Sequence, residues 1–129
     1  MDPIYDAIVL ENGTESIFIA THGYSEPEAW SRQLKNMPPI KLAFTPFNLY
    51  KLPFFLGGTV SSGLSAVKNL INTLRPKHII ATHDEDKHAR GLVQKLARIK
   101  FAPSSQELLK DELFKNRLLT IDNYQSVAI

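Results

Sequence analysis

The stretch LRPKHIIATHDEDKHARGLV, residues 74–93, runs from the end of one helix, through a strand, into the next helix. Ahead of it, Val60, Leu64, Val67, Ile71 and Leu74 fall at i, i+4, i+7, i+11 and i+14, which is one face of a helix. Arg75-Pro76 ends that helix, because proline has no N–H to donate and its ring crowds the preceding turn. HIIAT (78–82) is then a short apolar run of the kind that forms a buried parallel strand. After a dense polar knot, Ala89, Leu92, Val93 and Leu96 share the face of a following helix. Helix, strand and helix in this order predict an α/β layer structure.

The N-terminal part adds a hairpin. IYDAIVL (4–10) and ESIFIAT (15–21) are rich in β-branched and aromatic residues, and Asn12-Gly13 stands between them. Both turn residues tolerate positive φ, so the pattern predicts an antiparallel pair. Ser25-Glu26-Pro27-Glu28 has the spacing of a capping box with an early proline and starts a helix through Trp30 and Leu34, ending before Pro38-Pro39. IKLAFT (40–45) reads as a strand closed by Pro46. NLYKLPFFLGG (48–58) reads as a loop that tucks Phe54 and Phe55 into the core, or as the apolar wall of a pocket or partner surface. Ser104-Ser105-Gln106-Glu107 caps another short helix, and RLLTI (117–121) closes as a strand. No repeat or linker divides residues 1–129, so a single α/β domain with a mixed sheet, an N-terminal hairpin and helices packed on it is expected.

Composition excludes several function classes. Of 129 residues, 43% are apolar and 22% charged, enough apolar material for a core and too much for a disordered chain. Fifteen Lys plus Arg against 13 Asp plus Glu leave +2, without the concentrated basic face that nucleic acid demands. With no Cys there is no disulfide framework, thiolate zinc site or cysteine nucleophile. No apolar run reaches the ~18 residues of a membrane span, and Met1 to Asp6 do not resemble a secretion signal. The expectation is a cytoplasmic protein with neither nucleic acid nor membrane as partner.

Chemistry-bearing side chains crowd into His78, His83, Asp84, Glu85, Asp86 and His88. Imidazole and carboxylate are the ligands that zinc, manganese and iron accept when thiols are absent. His83 follows a strand end, where α/β sheets present reactive groups. Thr21-His22 ends the second strand as Thr82-His83 ends the fourth. If both strands lie in one sheet with their carboxyl ends together, the two imidazoles approach a common point and can share a cation or a proton. The plainer reading has two unrelated turn histidines and a solvated turn in which Asp84 or Asp86 caps the next helix. His78, beside Lys77 within the strand, reads as a satisfied structural histidine. Gly57-Gly58-Thr59-Val60-Ser61-Ser62-Gly63 is a third candidate, a glycine loop for phosphate, though without the Gly-Lys-Ser/Thr ending of a P-loop. There is no Gly-x-Ser-x-Gly elbow.

The order of these pieces, with Thr21-His22-Gly23, Thr45-Pro46, the Gly57-Gly58 loop and Arg75-Pro76-Lys77 before HIIATHDEDKHARGLV, resembles the C-terminal half of a metallo-β-lactamase-fold protein. The resemblance is to the branch of metal-dependent, zinc-type hydrolases. It implies half of an αββα sandwich and makes His83 a metal ligand. His22 stands where that family usually carries a bridging aspartate, a departure from its two-metal pattern. The family's HxHxDH motif does not occur in this chain. The implied metal set is His22, His83, Asp84, Asp86 and His88, with zinc or manganese as the ion. A half-fold of this kind exposes one sheet face, so a homo-oligomer or a separate N-terminal-half partner is expected to cover it. Two functions follow. One is a half-domain that is not catalytic alone and acts through association. The other is a metal-dependent hydrolase whose site is completed by His22, His83 and nearby carboxylates, with a dimer interface as one way to assemble it.

Overall fold

The computed structural model describes residues 7–22, 36–82 and 91–120. Along the chain come β1 (Ile8–Glu11), β2 (Ser16–Ile19), β3 (Ile40–Thr45), β4 (Leu49–Lys51), a 3-10 turn (Phe54–Leu56), β5 (Thr59–Ser62), α1 (Gly63–Leu74), β6 (His78–Ala81), α2 (Leu92–Leu96), β7 (Arg98–Lys100), α3 (Ser105–Leu108) and α4 (Glu112–Lys115). The architecture is mixed α/β, with two sheets and a few helices.

The predicted hairpin is present. Asn12 Oδ1 accepts from the backbone N–H of Thr14 and of Glu15, each at 3.0 Å, while Gly13 takes φ 90°. That side chain closes the turn and aligns β1 antiparallel to β2, with Ile8 opposite Ile19 and Leu10 opposite Ile17. β3 lies parallel to β2, and β6 parallel to β3, giving the order β1-β2-β3-β6. Lys41 is an extra residue in β3: Ser16 faces Ile40 but Ile17 faces Leu42. This bulge returns Ile40 to the same side as Ala43 and lets Lys41 reach Glu15 at 3.0 Å.

One face of this sheet supplies the core. Phe18, Ala20, Ala43 and Ile79 pack with Val67, Leu70 and Ile71 of α1 and with Leu108 and Phe114 beneath the C-terminal helices. Each large apolar side chain so buried contributes on the order of 1.5–3 kcal/mol. The Phe47 and Phe114 rings meet at 5.8 Å, tilted by 52°. Lys68 of α1 pairs with Asp111 at 2.7 Å and lies over the Phe114 ring, tying α1 to α4. Asp111 also caps α4 through Leu113 N–H, and its carboxyl is held below its ordinary range by the Lys68 and Leu113 hydrogen bonds. Ser104 and Glu107 form the expected capping box.

The structure corrects four expectations. Val60 belongs to β5, and the helix begins only at Gly63. Thr59–Ser62, Leu49–Lys51 and Arg98–Lys100 build a second, three-stranded antiparallel sheet in the order β5-β4-β7, which the apolar pattern did not announce. RLLTI contributes, among its described residues, a single parallel bridge, Leu118 to Ile79, rather than a full strand. Phe54 and Phe55 are not tucked in: they are 87% and 78% exposed, because Leu52 N–H bonds the Gly58 carbonyl at 2.7 Å and closes the loop away from the core. The helix expected from Ser25 lies outside the described residues.

Candidate functional site

The parallel strands decide where the Thr-His pairs begin. Ile19, Phe44 and Ile80 are level across β2, β3 and β6. The ladder continues past the strand ends, with Ala20 N–H on the Phe44 carbonyl at 2.9 Å and Thr82 N–H on the Thr45 carbonyl at 3.1 Å. The segments leaving β2 and β6 therefore start from one rim, separated by the width of β3. Two strand spacings amount to roughly 9.5 Å. His22 is exposed on the turn that follows Ala20. Thr45, at the centre of the rim, is buried. Thr82 Oγ1 is sealed from solvent and has no hydrogen-bond partner among the described residues, an arrangement that costs free energy unless another group satisfies it.

His83, Asp84, Asp86 and His88 lie outside the described residues. Among the described residues no three His, Asp or Glu side chains gather closely enough to hold a metal ion. Of the residues expected as ligands, the structure thus positions His22 alone, on the carboxyl rim where an α/β sheet usually binds ligands.

His78 departs from expectation. It lies on β6 opposite Leu42, and its Nδ1 is buried without a hydrogen-bond partner among the described residues. Burial, followed by the charges of Lys77 and Lys41, pushes its pKa below the ordinary 6.5, so the ring is neutral at pH 7. The glycine segment is also divided. Gly57 and Gly58 close the tip between β4 and β5, whereas Gly63 opens α1 with φ 74° against Leu49. With β5 between them, these glycines do not form one continuous phosphate cradle.

A second feature lies on the face of the first sheet turned away from α1. The register sets Ile8, Ile19, Phe44 and Ile80 in one row, and Leu10, Ile17, Leu42 and His78 in the next. Seven of these eight lie outside the buried core, whereas Leu42 is buried. Ile8 and Leu10 are 56% and 53% exposed, and Ile17, Ile19, Phe44 and Ile80 are half-buried. The signal was present in the sequence, since Ile8-Val9-Leu10 and Ile17-Phe18-Ile19 are apolar on both sides of their strands.

Comparison with protein-family models, with curated proteins and with solved structures finds no match to this chain.

Proposed function

We propose that the chain is a metallo-β-lactamase-like half-domain, without the HxHxDH motif, that is not catalytic alone and acts by association through the face of its first sheet turned away from α1. The observation that carries this reading is the pair of rows Ile8–Ile19–Phe44–Ile80 and Leu10–Ile17–Leu42–His78, apolar but for His78, in which Ile8 and Leu10 are exposed on β1. Contiguous apolar surface of this kind marks an interface rather than a solvated face. A second copy of the chain is the simplest occupant. An apolar face can pair with its own copy about a two-fold axis. A separate N-terminal-half partner is the other.

Sedimentation velocity across the micromolar range tests this. The wild type is expected to dimerise, and the double variant Ile8→Glu/Leu10→Glu to stay monomeric with an unchanged melting temperature, since neither side chain is buried in the core. A wild type that is monomeric throughout would overturn self-association.

A second reading has support of its own in the shared rim of β2 and β6. Here His22, His83, Asp84, Asp86 and His88 hold zinc or manganese, with ligands from an associated chain completing the set, and the bound ion would acidify a water for hydrolysis.

A further inference from the structure

The second sheet carries a surface that neither reading uses. β4 and β5 are joined by a tight tip in which Leu56 N–H bonds the Pro53 carbonyl at 2.9 Å and Gly57 N–H bonds that of Phe54 at 3.3 Å. Pro53 and these bonds fix the turn, and Phe54, Phe55 and Leu56 project from it, with Phe54 87% and Phe55 78% exposed. β7 runs antiparallel to β4 with Arg98 opposite Lys51, so α2, which immediately precedes β7, arrives at the same end of the sheet. Leu92 and Leu96 of α2 are exposed there as well. Five of the large apolar side chains exposed among the described residues therefore collect at one end of one small sheet.

Among the described residues, the charges on these elements have a single sign. Lys51, Lys95 and Arg98 are exposed at that end, and Lys100 is exposed at the far end of β7, opposite Leu49. The sequence contains no Asp or Glu between Glu28 and Asp84, and none between Asp86 and Glu107, so β4, the tip, β5, α2 and β7 are free of carboxylates. Lys51 and Arg98 stand side by side on adjacent strands just behind the apolar tip.

We propose that the Phe54–Leu56 tip, with α2 and the cations of Lys51, Lys95 and Arg98, docks on an anionic phospholipid surface. A convex tip with aromatic side chains at its apex suits insertion among headgroups, and cations one step behind it lie where lipid phosphates would be. Apolar insertion combined with electrostatic attraction is the two-signal arrangement that gives stable peripheral binding. No helix among the described residues is long and apolar enough to cross a membrane. A surface of this kind needs no apolar span, so it is compatible with a sequence that lacks one.

Co-sedimentation of the full chain with vesicles tests the proposal, using phosphatidylcholine alone and a two-to-one mixture of phosphatidylcholine and phosphatidylglycerol. Binding is expected on the mixed vesicles, reduced by salt. It should weaken at least about tenfold in Phe54→Ser/Phe55→Ser, from the lost apolar insertion, and to a similar extent in Lys51→Glu/Arg98→Glu. Ile8→Glu/Leu10→Glu should bind vesicles as the wild type does, which separates this surface from the first sheet's face turned away from α1. The proposal is overturned if the wild type does not sediment with mixed vesicles, or if Phe54→Ser/Phe55→Ser binds them unchanged. It is equally overturned if that variant dissolves a lipid-free dimer, which would make the tip a protein contact.

Discussion

Replacing Gly63 by alanine should be among the most damaging single-methyl changes in this molecule. Gly63 begins α1 with φ 74°, a left-handed conformation, and a Cβ built there would lie 2.9 Å from Leu49 Cβ and 3.2 Å from Leu49 Cα. Two costs add. A side chain in the left-handed region costs about 1–2 kcal/mol. Forcing a methyl group into closed packing, where a backbone atom is part of the obstacle, costs about 1–2 kcal/mol more. The sum, about 2–4 kcal/mol, corresponds to a fall in melting temperature of about 6–15 °C for a chain of this size. Gly57 is the control: its φ is 116°, but nothing lies within 4 Å of the added methyl. Gly57→Ala should therefore show backbone strain alone, about 1–2 kcal/mol. Thermal unfolding followed by circular dichroism measures both variants. If Gly63→Ala melts no lower than Gly57→Ala, the close approach of α1 to β4 is wrong, and with it the junction between the two sheets.

Two further outcomes can be measured. His78 resists protonation in the folded state because of its partial burial and the charges of Lys77 and Lys41, whereas the unfolded chain takes up that proton as pH falls through about 6.5. Wild-type stability should accordingly decline as pH drops below that value, and His78→Gln should show a shallower decline; parallel pH profiles would remove the assignment. On the metal reading, protein purified without chelator should carry near-stoichiometric zinc or manganese, lost in His83→Ala and diminished in His22→Ala. Metal content at background level in the wild type, by elemental analysis, would end that reading.

The first sheet was legible because its signals are local and strong. Asn12-Gly13 can hardly be other than a hairpin turn, and IKLAFT and HIIAT are apolar runs too short for helices. The second sheet was not legible, because LYK, TVSS and RIK are three- and four-residue strands with too few positions to establish a period. Val60 happens to fall in phase with the helix that follows, which extended the predicted face one turn too far. Phe54 and Phe55 misled for another reason: side-chain hydrophobicity predicts burial only when the backbone can deliver the side chain, and the Leu52–Gly58 closure holds these two away. Of the candidate site, the two matching strand endings were legible, whereas their shared rim depends on a strand order that the sequence left as a condition. The buried Nδ1 of His78, without a partner among the described residues, was not legible, since hydrogen-bond satisfaction depends on tertiary neighbours.

The strand order interleaves the two sheets in a way that bears on how the chain can be divided. β4 and β5 are made between β3 and β6, and β7 comes back to β4 after β6 has been laid down. A cut between β6 and α2 would consequently leave each fragment holding strands that the other's sheet requires. Such fragments would be poor candidates for independent folding and good ones for complementation, regaining the native arrangement when mixed.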